Sequence, residues 1–255
     1  MKTELASQGA ARALCVVVVL QGLLAAQAPD LGKGDVDGVV RGKRLLERAQ
    51  QAMGGAERLA AVKDATHKME IALEPAAGGY KMRQVSTFVA PDQIRQEQET
   101  PFGTMKFYSD GNSGWLATPQ GVEAMPAGVL KLAKGVIFRQ LFTLMLSAGD
   151  ASRSVKAVSD HDVKISMADG QSVLVEFDPA TGLPARQLYT ESGATGSPAE
   201  RVEIFSDWRD AGGIKMPYGA VQLENGIKML EVTVSEYRLN TGITPQALSQ
   251  RPVKE

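Results

Sequence analysis

The sequence predicts a mainly β protein with a few helices, a half-open antiparallel β-barrel of about 10 to 11 strands. Three observations carry this prediction. Apolar and polar residues alternate with a period of two through most of the chain beyond Asp64, short turn signals separate the alternating runs, and one long helical segment interrupts them. Tight turns favour antiparallel neighbours, because parallel strands need a long crossover between them. The predicted sheet is therefore a curved meander.

Two helices are predicted before the strands. Apolar residues recur at helical spacing over Val36–Met53, where Asp35 can cap the start and Gly54-Gly55 ends the helix. A second, short helix is predicted over residues 56–62. The meander is expected to begin after these helices.

The predicted strands share the period-two alternation that places one side of a strand in a core. Clusters of Gly, Asp, Asn and Pro separate several of them and indicate tight turns. The strands are predicted at residues 67–73, 80–89, 104–108, 163–167, 172–177, 183–191, 201–208, 216–223 and 229–239.

Residues 126–147 contain no turn signal and are predicted as one helix of about 20 residues. The second half of this segment is apolar nearly all round, which is typical of a helix that is buried on several sides or covers something removable. Two interpretations stay open, a lid over an apolar cavity and a plug that forms ordinary core. Under the lid interpretation, the candidate ligand-binding residues are Phe138, Phe142, Met145, Trp115 and Met105.

The first 28 residues have the layout of a secretory signal peptide. A basic start is followed by an apolar run at 13–24 and by small residues, and the run is too short for a membrane span. Cleavage is expected after Ala26 or Ala28, and an uncleaved anchor is the alternative. The predicted organisation is a signal peptide at 1–28 and a single half-barrel domain at 29–255, exported to the periplasm without a transmembrane span.

The composition of the chain excludes several classes of function. The chain has 28 Lys and Arg against 29 Asp and Glu, a formal net charge of −1, and no long run of like charge, so no nucleic-acid partner is expected. The two His residues are His67 and His161, and the single Cys, Cys15, lies in the predicted signal peptide. We therefore predict no metal, no cofactor, no disulfide and no catalytic residue. A hydrolase with dispersed carboxylates is the remaining enzyme alternative.

Three short sequence segments (called phrases below), in this order along the chain, resemble segments of a known protein family. They are Ala52-Met53-Gly54-Gly55 with Arg58-Leu59, Phe177-Asp178-Pro179-Ala180-Thr181-Gly182-Leu183-Pro184, and Ser206-Asp207-Trp208-Arg209 with Gly213-Ile214-Lys215-Met216-Pro217-Tyr218. Together they resemble exported proteins of the outer-membrane lipoprotein-sorting type, with the fold of LolA, LolB and RseB, over roughly residues 37–252. The resemblance implies a half-open barrel wrapped around short helices that close an apolar cavity.

The resemblance also implies a function. Members of this family carry the acyl chains of lipoproteins across the periplasm, and others sense envelope stress or bind lipids. The predicted function is therefore a periplasmic carrier or sensor whose partner is a lipid or an acylated protein, with an envelope protein as a further partner. The alternative is an envelope docking domain without a ligand. Because the third phrase also occurs in domains fused to or encoded beside exported zinc peptidases, that alternative includes an exported peptidase as partner.

Overall fold

The computed structural model describes residues 36–192 and 197–252, so the predicted signal peptide and Cys15 lie outside the described residues. The described residues form one antiparallel sheet of 13 strands. The strands are β1 (Asp64–Leu73), β2 (Lys81–Val89), β3 (Gln93–Thr100), β4 (Gly103–Ser109), β5 (Gly114–Thr118), β6 (Gly121–Ala124), β7 (Arg153–Ala157), β8 (Asp162–Met167), β9 (Ser172–Phe177), β10 (Pro184–Ser192), β11 (Pro198–Asp210), β12 (Lys215–Glu224) and β13 (Ile227–Leu239).

The sheet consists of two meanders joined at one seam. Its strand order is β6-β5-β4-β3-β2-β1-β13-β12-β11-β10-β9-β8-β7, so every neighbouring pair is consecutive in sequence except β1 and β13. These two strands pair antiparallel along nearly their whole length. The sheet stays open between its edge strands, β6 and β7, which confirms the predicted half-open antiparallel architecture.

The predicted number of strands was too low, because β3, β5, β6 and β7 were missed. β3 has the sequence QIRQEQET, and its polar residues give no apolar alternation to detect. The other three are only five, four and five residues long. In β6 and β7 only Val and Ala are apolar, and in β5 the apolar residues are consecutive, so none of the three shows a clear period of two.

Five α-helices accompany the sheet in the described residues: α1 (Val36–Met53), α2 (Ala56–Ala60), α3 (Ala127–Phe138), α4 (Leu141–Leu144) and α5 (Pro245–Ser249). Two short 3₁₀ helices, Pro75–Ala77 and Ser147–Gly149, lie in the connections. The bounds of α1 are those predicted. The prediction of a single long helix over residues 126–147 was wrong. The helical conformation is interrupted between the end of α3 at Phe138 and the start of α4 at Leu141. The backbone at Gln140 is extended, with ψ of 119°, and a helical hydrogen-bond ladder cannot continue through that conformation.

Helices α1 to α4 pack on one face of the sheet, which we call the inner face, and together form what we call the helical plug. The largest cluster of buried apolar side chains lies between the plug and the sheet. It contains Leu46 of α1, Leu59 of α2 and Leu144 of α4, which pack with inner-face strand residues such as Phe88 and Val175. All five of these side chains are almost completely buried. Buried side chains of residues 126–147 pack in this cluster, and the choice between plug and lid stays a prediction that the Phe142 variant below addresses.

The outer face carries α5. Its Leu248 packs with Val89, Tyr108, Trp115 and Ala117. Thr244 caps α5, since its hydroxyl oxygen accepts a hydrogen bond from the Ala247 backbone amide. The two faces of the sheet are thus covered by different helices.

Candidate ligand-binding interior

Beyond the helical plug, the inner face continues as a second apolar cluster that we call the apolar wall. Its buried members are Met69, Ile71, Leu73, Met82 and Val234. Half-buried apolar side chains surround them, and no member of the cluster comes from α1 to α5 within the part of the chain that the structure describes. The buried members of the apolar wall therefore come from strands, and Ala77 of the short 3₁₀ helix Pro75–Ala77 packs against them.

The apolar wall and the plug belong to one interior. Val232 and Tyr237 pack against both clusters. Val232 lies opposite Ile71 in the β1–β13 pairing, and opposite residues of an antiparallel pair share a face. An apolar ligand on the wall would therefore also reach the edge of the plug.

Side-chain amides lie beside the apolar wall on the first meander. One cross-strand row on the inner face contains Met69, Gln84, Gln98 and Met105. The Gln98 amide nitrogen donates to the Gln84 amide oxygen at 2.8 Å, and Gln84 donates to the Met69 sulfur at 3.7 Å. Both Gln side chains are buried. Because each amide has a partner, this row satisfies itself without a ligand.

An aromatic group marks the seam between the two meanders. The rings of His67 and Tyr237 lie 5.2 Å apart, and Tyr218 contacts Tyr237 edge-on at 5.2 Å. Burial lowers the pKa of His67 to about 4, so this imidazole is neutral at neutral pH. Burial raises the pKa of Tyr237, and the negative charge of Glu203 adds to that rise. The His67 side chain lies on the inner face and keeps partial solvent exposure.

Two ion-paired arginines lie inside the second meander. Arg139, at the break between α3 and α4, stacks over the Tyr189 ring at 3.6 Å and pairs with Glu191 at 3.2 Å. Arg201 pairs with Glu224 at 2.6 Å and with Glu191 at 3.4 Å. Burial raises the pKa of Tyr189. The pair formed by Arg139 and Glu191 holds the broken helical segment to β10.

A third carboxylate in this region lacks such a cation. Glu203 accepts a hydrogen bond from the Gln187 amide nitrogen at 2.8 Å and has no ion pair among the described residues. Burial raises the pKa of Glu203, and both the charge of Arg139 and the hydrogen bond from Gln187 oppose that rise. Glu203 is half-buried and lies on the inner face, directly opposite Gln187 and Gln222.

Two open clefts lie at the margins of the sheet. One, of about 380 Å³, is lined largely by charged groups, including Glu70, Lys81 and Arg83. The other, of about 320 Å³, lies beside α2 and reaches Tyr237 and Leu239. Both clefts therefore touch the interior, the second at Tyr237 and the first, despite its charged lining, at Met82 of the apolar wall.

The structure brings three of the five predicted site residues together. Phe138, Phe142 and Met145 lie in the plug cluster, and Phe142 contacts Phe88 edge-on at 5.2 Å. All three side chains are buried, so they line no open space in this conformation. Their contact with a ligand stays a prediction.

The other two predicted residues lie apart from that group. Met105 is half-buried on the inner face, beside Gln98. Trp115 lies on the outer face beneath α5, where its indole nitrogen donates to the Ser249 carbonyl at 2.9 Å. Trp115 would meet a ligand only if α5 moved away, and its role also stays a prediction.

Residues 36–192 and 197–252 contain no group of three His, Cys, Asp or Glu side chains arranged to hold a metal ion. In the same ranges, no helix combines the length and apolar character that a membrane crossing requires.

Comparison with known proteins gives a match at the level of structure. No protein-family model matches the sequence, and no curated protein matches it. A LolA superfamily protein from Nitrosomonas europaea superposes with a TM-score of 0.57 and 12% identity, covering 82% of this chain and 97% of the other. The fold is LolA-like. A DUF1329 family protein from Desulfovibrio piger is also similar, with a TM-score of 0.53, 11% identity and coverage of 83% and 99%. The LolA-like fold of the chain agrees with the resemblance drawn from its three phrases.

Proposed function

We propose that this protein is an exported carrier or sensor that binds the acyl chain of a lipid or of an acylated protein in its half-barrel. The apolar wall is the observation that carries the proposal. It presents contiguous apolar side chains on the inner face, and two of its buried members, Met69 and Met82, have flexible thioethers that adapt to different chains. The LolA-like fold is compatible with this use of the interior.

The energetics support reversible binding. Burial of about a dozen CH₂ groups contributes on the order of 10 kcal/mol. Separating side chains that now pack on one another in the wall and at the plug offsets part of that gain. A carrier needs both terms, because it must capture a chain from water and release it to an acceptor.

We also propose that residues 1–28 direct export to the periplasm and are removed after Ala26 or Ala28. The basic start, the short apolar run and the small residues that follow support this proposal. Amino-terminal sequencing of the protein from the envelope fraction tests it, and the expected first residue is Gln27 or Pro29. A protein that begins at Met1 would contradict export with cleavage.

Native mass spectrometry of protein purified from an envelope fraction tests the binding proposal. We expect a mass increment that corresponds to a lipid or an acylated peptide and that disappears after extraction with organic solvent. A protein that is free of lipid and tightly bound to another protein would support a docking domain instead.

A further inference from the structure

We propose that Glu203 and Gln187 form a recognition site for a primary ammonium group at the polar end of an amphiphile whose chain lies on the apolar wall. This inference rests on the proposed function, because it assumes that the interior binds an alkyl chain. It adds the chemical class of the polar end.

The first argument is a surplus of hydrogen-bond acceptors. The Gln187 residue is only 3% exposed, and its amide oxygen has no hydrogen-bond partner. Its amide nitrogen is used by Glu203. A buried acceptor without a donor destabilises the folded protein, so a donor from a ligand would be favoured there. An ammonium group supplies up to three donors and can serve both side chains.

The second argument is charge. Three carboxylates, those of Glu191, Glu203 and Glu224, face two guanidinium groups, those of Arg139 and Arg201. Arg139 pairs with Glu191, and Arg201 pairs with Glu191 and Glu224. When all three carboxylates are ionised, the cluster therefore carries one uncompensated negative charge, and it lies at Glu203. An anionic group would be repelled at that point, whereas a cationic donor would neutralise it.

The third argument is position. Glu203 lies in one inner-face row with Leu73, Leu230, Gln222 and Gln187. Two strand spacings separate Leu230 from Glu203, which corresponds to about 10 Å. A medium-length alkyl chain on the wall can therefore place its polar end beside Glu203. The partial exposure of Glu203 leaves room for such a contact.

Three probes with the same chain test the inference by calorimetric titration of the purified protein. Decylamine is charged and donates, decanol donates without charge, and decyltrimethylammonium is charged without an N–H donor. We expect decylamine to bind at least about tenfold more tightly than either of the others, a difference of about 1.4 kcal/mol. Equal affinities for decylamine and decanol, or for the two cations, would overturn the inference.

Variants assign the preference to these residues. Glu203→Gln keeps the size of the side chain, and we expect it to remove the preference for decylamine while decanol binds as before. Gln187→Leu serves as a second variant and should reduce the preference as well. Glu200→Gln, on the exposed outer side of the same strand, is the matched control and should retain it. A preserved preference in Glu203→Gln would contradict the assignment. Loss of binding of all three probes to the wild-type protein would overturn the proposed function too.

Discussion

Gln50 of α1 donates a hydrogen bond from its amide nitrogen to the backbone carbonyl of Met145, at 2.8 Å. Both residues are buried, and 95 positions separate them in sequence. The bond ties the amino-terminal helix to the chain just after α4, in the segment that connects the two edge strands of the sheet. The helical plug is therefore held by a specific polar contact as well as by apolar packing.

This contact is expected to matter for stability. In Gln50→Leu the Met145 carbonyl remains buried without its donor, which should lower the free energy of unfolding by about 1 to 3 kcal/mol. The neighbouring Gln51 is exposed, so Gln51→Leu is the matched control, with an expected change within about 0.5 kcal/mol. Chemical denaturation of both variants measures the difference. Equal stability of the two variants would show that the hydrogen bond contributes nothing.

The approach of α1 to β7 depends on a glycine. A Cβ atom at Gly42 would lie 2.8 Å from the Ala157 backbone nitrogen, so Gly42→Ala should destabilise the protein although alanine favours helices. Gly128 of α3 is the control, because a Cβ atom there meets nothing within 4 Å. Gly128→Ala should raise the melting temperature slightly, whereas Gly42→Ala should lower it. A stabilised Gly42→Ala variant would contradict the close packing of α1.

Phe142 distinguishes a packed plug from a loose lid. Its 3% exposure and its contact with Phe88 predict that Phe142→Ala lowers the free energy of unfolding by about 3 to 5 kcal/mol. Phe102 is 62% exposed, so Phe102→Ala should cost far less. Urea denaturation provides the measurement. A small loss in Phe142→Ala would indicate that this segment is loosely packed, as the lid interpretation requires.

The neutral imidazole of His67 predicts a pH dependence of stability. The folded state holds the pKa of His67 at about 4, below its ordinary value of 6.5. Between these values the unfolded chain binds a proton that the folded protein does not, so stability falls as the pH drops from 6.5 to 4, by at most about 3 kcal/mol. Below the folded pKa this loss is complete.

Denaturation at pH 7.5 and pH 4.5 measures this effect, with His67→Gln compared to the wild-type protein. The variant should lose less stability on acidification. His161→Gln is the control, because His161 is exposed, and it should match the wild-type profile. An unchanged acid response in His67→Gln would contradict the burial of this imidazole.

The sequence predicted those strands and helices that are marked by a periodic apolar pattern or by a local turn signal. The alternation in β1 and β13 and the Gly54-Gly55 end of α1 were sufficient to place those elements. β3 was missed because its inner-face residues Gln96 and Gln98 make hydrogen bonds instead of apolar contacts. The break at Gln140 was missed because no Gly or Pro marks it.

The candidate site was harder to predict than the fold. Burial of Phe138, Phe142 and Met145 followed from their apolar character, but sequence does not distinguish a side chain that packs on the plug from one that faces a ligand. Gln187 and Glu203 become neighbours only through the register of β10 and β11. No local motif marks a polar pair that forms across strands in this way.

The central claim is that an acyl chain binds on the inner face. Val232 tests it well, because this half-buried residue packs against both the plug and the apolar wall. The next residue, Thr233, is exposed and points to the outer face opposite Glu70, so it provides a matched control on the same strand. Cooperative thermal unfolding of Val232→Asp and Thr233→Asp establishes that both variants are folded before binding is compared.

The most direct measurement is an equilibrium titration of the wild-type protein and these two variants with a fluorescent dodecanoyl probe. We expect saturable binding to the wild type and to Thr233→Asp, and at least a tenfold weaker affinity in Val232→Asp, because a carboxylate on the wall must be desolvated when the chain binds. Absence of saturable binding to the wild-type protein, or equal affinities of the two folded variants, would contradict binding on the inner face.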